Sequence, residues 1–398
     1  MGKVILLGLG GVGSVVARKM ARIPEVFGRI TLASRRMESC EMAKRAIGRG
    51  EIDTAQVDTA QVDADDIGAL TALIDEKRPD LVVNTALPYQ DLAVMEACLR
   101  TGVDYLDTAN YEHPGRPGFE YKEQWAYHQR FKEKGIMALL GCGFDPGVTN
   151  VFIAHMKKHH FSEMRHVEIL DANGGDHGLP FATNFNLEIN LREITQPGKY
   201  YEKGQWITVD PLSRHEPFDF PGIGEREKFL IYHEEMESLV KHFPEIKRIR
   251  FWMTFGETYL NHLEVLQNVG MTRIDPVTVD GAEVIPIRVL KAVMPNPADL
   301  GARTKGKTCI GCVVEGISKD GEEKKLYVYN ICDHQEAFRD VGSQAISYTT
   351  GVPAMIGAKM MLTNKWRGRG VFNVEQFNPD PFMEELNASG LPWKEKPL

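Results

Sequence analysis

The stretch Val4-Ile5-Leu6-Leu7-Gly8-Leu9-Gly10-Gly11-Val12-Gly13 restricts what this chain can fold into more than any other. Its run of apolar residues predicts a buried parallel strand, and Gly8, Gly10 and Gly13 follow in G-x-G-x-x-G spacing. Val12, Val16 and Met20 then recur at the spacing of a helical apolar stripe. In such a unit the first glycine makes the tight turn and the second lets a pyrophosphate approach the backbone. The third lets helix and strand pack closely, and the positive helix N-terminus faces the phosphates. Glycine spacing alone is a weak signal; the strand before it and the helix after it give it force. Gly8, Gly10, Gly11, Val12 and Gly13 are therefore the expected phosphate-binding residues.

The next strand, Ile30-Thr31-Leu32-Ala33, ends in Ser34-Arg35-Arg36. An NAD site carries Asp or Glu there, to bond the ribose 2′-hydroxyl. A hydroxyl and two guanidinium groups suit a 2′-phosphate instead, Arg being fitted to bidentate phosphate contacts. NADP(H) is the expected cofactor, with Ser34, Arg35 and Arg36 as its selectors.

Strands and helices go on alternating to about residue 140, which means βαβ units and a parallel sheet. Asp53-Thr54-Ala55-Gln56-Val57 is duplicated at once as 58–62. The second copy is expected to be the third strand, ending at Asp63, with Asp65 capping the helix after it. Ligands of such sheets lie beyond the carboxyl ends of the strands. Asp63, Asn84, Thr85, Ala86, Ala109 and Cys142 are thereby added to the expected cofactor site. The predicted fold class is α/β, a Rossmann-type doubly wound sheet with an inserted α+β mixed-sheet domain. Residues 1–146 would bind NADP, residues 147–342 would bind substrate and dimerise, and helices in 343–398 would return to the first domain.

At the junction, Asp145 and Pro146 fit an N-cap and a first helical residue, and Asp145 also falls beside the expected nicotinamide site. Asn184, Asn186, Glu188, Asn190 and Arg192 alternate with Phe185, Leu187, Ile189 and Leu191. That pattern predicts a strand with one polar face, the floor of a pocket where Glu188 meets an ammonium group and Arg192 a carboxylate. His233-Glu234-Glu235 and Asp333-His334 read as surface or core polar residues. Pro353 predicts two helices or a kink within 343–362.

Other patterns fail in context. Gly301–Thr308 matches a phosphate-binding P-loop, but Pro295-Asn296-Pro297 precedes it and strand-like residues follow, so the required strand-to-helix passage is missing. Cys309 and Cys312 stand three apart on one expected strand and point to opposite faces, which works against a zinc site with Cys332 and His334. No metal is expected. A net charge of −8 argues against nucleic acid as partner. No apolar run approaches the ~20 residues of a membrane span, and the N-terminal apolar run lacks a signal-peptide cleavage site. A reduced, cytoplasmic homodimer is the expectation.

The Gly8–Gly13 fingerprint with Ser34-Arg35-Arg36, the Gly141–Gly147 junction and Thr350-Gly351-Val352-Pro353 resemble the saccharopine dehydrogenase-like reductases. Pro180–Asn186, Arg303–Thr308 and Asp333-His334 with Gly342–Tyr348 are similar to the carboxynorspermidine dehydrogenase branch of that family. The resemblance implies that aspartate β-semialdehyde and a diamine, diaminopropane or putrescine, form an imine that NADPH reduces. Asp145 would lie near the reacting centre, Glu188 would hold the amine, and Arg192 or Lys305 the carboxylate. Saccharopine-forming or lysine-oxidising activity, and a non-catalytic NADP sensor, are the alternatives.

Overall fold

The structure, a computed structural model, describes residues 1–48, 54–114, 118 and 120–398. Asp53, which opens the duplication, and Arg49, expected at a helix end, lie outside them. The chain first lays down β1 (Gly2–Leu7), α1 (Gly11–Ala21), β2 (Phe27–Ser34), α2 (Met37–Gly48), β3 (Val57–Gln61) and α3 (Ile67–Lys77). It continues with β4 (Leu81–Asn84), α4 (Asp91–Thr101), β5 (Asp104–Asp107), α5 (Lys122–Trp125), α6 (His128–Lys134) and β6 (Met137–Leu140). β3 takes Val57 and the first four residues of the second copy, ending at Gln61 rather than Asp63. The α3 cap is Asp66, whose side chain accepts from the Ala69 amide, while Asp65 bonds Gln90 instead.

Strand burial on both faces explains the apolar runs. Val4 and Leu6 pack with α1 residues Val15, Val16 and Met20, whereas Ile5 and Leu7 pack with Leu70, Leu73, Val94 and Met95 of α3 and α4. The period of two along β1 thus feeds two separate helix layers. The sheet is parallel throughout in the order β3-β2-β1-β4-β5-β6, extended beyond β6 by β17 (introduced below). Its order reverses between β1 and β4, which is where a ligand crevice opens in such sheets.

Next come α7 (Val148–His159), β7 (Phe161–Asn173), α8 (Leu187–Ile194), β8 (Gly198–Glu202), β9 (Gln205–Val209), β10 (His215–Phe220) and β11 (Gly224–Ile231). After them run α9 (Glu235–His242), β12 (Arg248–Thr254), α10 (Glu257–Asn268), β13 (Val277–Val279), β14 (Ala282–Val284) and α11 (Pro286–Val293). β15 (Lys307–Ser318) and β16 (Glu323–Asp333) make the hairpin expected around Asp320-Gly321. The chain closes with α12 (His334–Val341), α13 (Ala345–Leu362), β17 (Gly370–Asn373), α14 (Asp380–Ala388) and β18 (Trp393–Pro397). The second sheet is mixed: β7 and β12 are parallel and their other neighbours antiparallel. Cys309 and Cys312 do face opposite sides, in different cores. The tail serves both sheets, since β17 pairs with β6 and β18 covers the edge of β16.

Three expectations are corrected here. Residues 187–194 form the helix α8, not part of a strand. Leu187, Leu191 and Ile194 are one helical face and pack against Leu263, Ile287 and Leu290, and Asn186 caps the helix by accepting from the Glu188 and Ile189 amides. Asp145 is not an N-cap: α7 begins at Val148 after Gly147, whose amide donates to the Asn150 side chain. Pro353 does not divide the returning segment, because α13 runs through it, with residues from Ala345 to Met361 buried against the rest of the chain. Packing holds the helix across the missing donor, and the Pro353 carbonyl takes a hydrogen bond from the Cys142 thiol.

Candidate active site

The glycine turn has the shape its spacing predicts. Gly8 has φ +83° and packs on the β4 loop, where a Cβ would stand 2.5 Å from the Ala86 nitrogen. At Gly13 a Cβ would meet the Gly8 oxygen at 1.9 Å, so only glycine lets α1 come this close to β1. A Cβ on Gly10 would meet nothing within 4 Å, and that open side is where a pyrophosphate can reach the backbone. The first-turn amides of Gly11, Val12 and Gly13 have no partner inside α1 and no side chain caps them. Thr85 fastens the turn by donating to the Leu7 and Gly8 oxygens at 2.8 and 2.6 Å.

Ser34 ends β2, and Arg35 and Arg36 are exposed just beyond it with no carboxylate in the NAD position. Gly8 donates its amide to Ala33, which ties this basic corner to the turn. Asp63 follows β3, its side chain accepting from the Asp65 amide. Asn84 is a scaffold: it donates to Asp91 at 2.8 Å and accepts from Ala86 at 3.1 Å, shaping the loop under the cofactor. Ala109 is half-buried after β5, next to Asn110, whose amide oxygen and nitrogen are buried without partners. Cys142 has its thiol in the core, so only its backbone, bonded to Asp107, borders the crevice.

Around Asp145, just after β6, several acids pack together. Asp145 and Asp171 are in hydrogen-bond contact, with Asp145 Oδ2 and Asp171 Oδ1 shut off from solvent and unpartnered. Burial raises both: Asp145 sits well above the ordinary carboxyl range, pushed further by the Asp171 charge, and Asp171 rises to about 6. Two carboxyls so placed share a proton. Beside them the His233 ring stacks on Phe251 at 4.2 Å, with Nδ1 against Glu235 and Nε2 3.2 Å from Glu193 on α8. Burial opposes its charge, but Glu235, Glu234 and Glu193 outweigh it and hold His233 well above its usual value. Burial also lifts Glu234 and Asp107 to about 7. His233, Glu234 and Glu235 are thus buried polar residues, as the sequence indicates, joined to α8 through Glu193.

α8 joins this cluster to the first domain. Glu188 and Arg192 lie one helical turn apart, on the side away from Leu187 and Leu191. Glu188 pairs with Lys291 of α11 at 3.2 Å. Arg192 is buried and committed: Nε bonds Glu112 at 2.8 Å, and its Nη atoms reach the Pro114 and His113 carbonyls. The expectation that Arg192 receives a substrate carboxylate gives way to a pin between the domains. Burial raises Glu112 to about 7 despite Arg192, leaving its Oε2 unpartnered. Arg192→Ala strands that carboxyl and is expected to cost about 3–5 kcal/mol in urea unfolding, most of it recovered by Arg192→Met with Glu112→Gln. Lys305 is exposed, its backbone paired with Asp176, and Gly306 at φ +102° leads into a strand, which removes the P-loop. His334 is held to about 4 by burial, donating from Nε2 to Asn173 Oδ1 and accepting at Nδ1 from the Ala345 amide, a structural role. Asp333 caps α12.

A glycine turn shaped for a dinucleotide, two arginines at the end of β2 and a cluster of buried acids fit an NADP-dependent oxidoreductase. Residues 4–139 match the saccharopine dehydrogenase NADP binding domain and residues 143–391 the saccharopine dehydrogenase C-terminal domain. The chain belongs to the saccharopine dehydrogenase family. It is 55% identical over 99% of its length to a carboxyaminopropylagmatine dehydrogenase of Synechocystis sp., covering 98% of that protein. It is 44% identical to a carboxynorspermidine synthase of Vibrio cholerae, covering 98% of this chain and 96% of that one. The apo saccharopine dehydrogenase (L-Glu forming) of Saccharomyces cerevisiae shares the fold, with TM-score 0.74 over 100% of both chains at 16% identity. Among the described residues no helix is long and apolar enough to cross a membrane.

Proposed function

We propose that the protein joins aspartate β-semialdehyde to an amine and reduces the resulting imine, making a carboxylated polyamine or its guanidino counterpart. The observation that carries this reading is the cluster of Asp145, Asp171 and Glu235, each with a carboxyl oxygen buried without a hydrogen-bond partner. Asp145 and Asp171 share a proton, so the oxygen left for a cationic ligand is Glu235 Oε1. Agmatine is the amine we favour, since the relative at 55% identity is named for a carboxyaminopropyl derivative of it. Putrescine or diaminopropane is the second reading, supported by relatives named carboxynorspermidine synthase at 43% and 44% identity.

Gly10 with the free first-turn amides of α1, and Ser34, Arg35 and Arg36, would hold NADPH, which would supply the hydride for the imine carbon. Asp145, kept protonated beside Asp171, gives its proton to the departing hydroxyl of the carbinolamine, which leaves as water. Glu234 and Glu235 hold the distal cation, and Glu188 lines the approach to it. Lys305, with its side chain in solvent, is the candidate partner of the substrate carboxylate. Arg192 keeps the two domains in register.

Loss of NADPH absorbance with aspartate β-semialdehyde plus agmatine, putrescine or diaminopropane in turn tests the reading. Agmatine is expected to give the fastest turnover, and no oxidation with any pair overturns the proposal.

The acids also set a pH dependence. Asp171 titrates at about 6, and Asp107, Glu112 and Glu234 at about 7, all above the unfolded carboxyl range. The folded chain therefore holds protons that the unfolded chain has released, and stability falls as pH rises from about 4 to about 7. A bound cation offsets that loss. Agmatine is expected to raise Tm more at about pH 8 than at about pH 5, measured by thermal melting with and without the amine.

A further inference from the structure

We propose that His155, His159 and Asp380 form a site for a divalent transition-metal ion of the zinc class, on the face of the molecule where α7 ends. His155 and His159 are spaced i, i+4 on α7, which puts both rings on one face, a spacing suited to zinc. Their rings are 4.7 Å apart, and Asp380 Oδ1 is 2.7 Å from His159 Nε2. One ligand atom from each of the three residues lies within 4.8 Å of the others. Tetrahedral zinc with nitrogen and oxygen ligands holds them roughly 3.3 Å apart, so small side-chain shifts close the set.

Several details favour an ion over a simple hydrogen-bonded pair. His155 bonds Glu395 through Nε2 at 3.2 Å and keeps Nδ1 buried without a partner, so Nδ1 is the atom left for an ion. Lys158 holds the other oxygen of Asp380, leaving Oδ1 directed at His159. His159 and Asp380 remain partly exposed, which leaves a way in. The adjoining trio of His155, His160 and Glu395 is less suited, because Lys324 donates to His160 Nδ1 at 3.0 Å. The neutral ring then carries its proton on Nε2, where it bonds Glu395 at 2.9 Å. The ion would replace the proton between His159 and Asp380 and tie α14 to α7, fastening the segment that ends in β18.

The test uses the tag-free full-length protein, cleared of metal with a chelator and titrated with zinc chloride by calorimetry. A single saturable equivalent is expected, with Tm rising as it binds. His159→Gln and Asp380→Asn, both at partly exposed positions, should each weaken binding by about tenfold or more and abolish the rise in Tm. His160→Gln should leave the affinity near that of the parent, and NADPH binding by every variant shows that each has folded. Absence of saturable binding, or binding unchanged by His159→Gln and Asp380→Asn, overturns the proposal.

Discussion

Asp145→Asn is expected to lower kcat by about a hundredfold to ten-thousandfold, the contribution of a positioned proton donor. The amide keeps the shape of the carboxyl but cannot release a proton at the carbinolamine. NADPH affinity should not change, because Asp145 is part of neither the glycine turn nor the basic corner. Stability should hold or rise, since Asp145 and Asp171 crowd each other and one carboxyl fewer relieves that repulsion. A loss of activity without loss of Tm separates a chemical role from a structural one. Full activity in Asp145→Asn would move the proton donor elsewhere, with His233 the next residue to test.

The second large effect concerns cofactor choice. Arg35→Asp combined with Arg36→Ser is expected to lower kcat/KM for NADPH by about 10²–10⁴, as two charge-assisted contacts of about 1.5–3 kcal/mol each are lost. NADH should be used about as well as before, because an acid at the end of β2 can bond the 2′-hydroxyl of its ribose. Both positions are exposed, so the fold should tolerate the change. Steady-state kinetics with both cofactors reads the result. An equal loss with NADPH and NADH would mean that these arginines support the site generally and do not select the phosphate.

What could be read in advance divides along physical lines. The first sheet was legible because each strand is an apolar run and each crossover helix a 3.6-residue stripe, and because Gly8 and Gly13 occupy positions where a Cβ would collide with backbone. Local signals of that kind survive folding. Residues 184–192 were misread because their alternation fits a strand while Leu187, Leu191 and Ile194 fit a helix equally well; Asn186, which caps α8, was the overlooked tie-breaker. The role of Arg192 was not legible at all, since its partner Glu112 lies 80 positions away and is brought to it by the docking of the two domains. The same holds for the raised pKa of Asp145, which comes from burial and from Asp171 and Glu235 of the second domain, against the opposing charge of His233. For Pro353, the missing donor was visible, but the packing that carries α13 past it was not.

The most direct measurement follows a labelled hydride. With NADPH carrying deuterium at the transferable C4 position, aspartate β-semialdehyde and agmatine, mass spectrometry should find the coupled secondary amine with a single deuterium, on the carbon that was the aldehyde. Unlabelled coupled product, or NADPH consumption without any coupled product, would contradict imine reduction at this site.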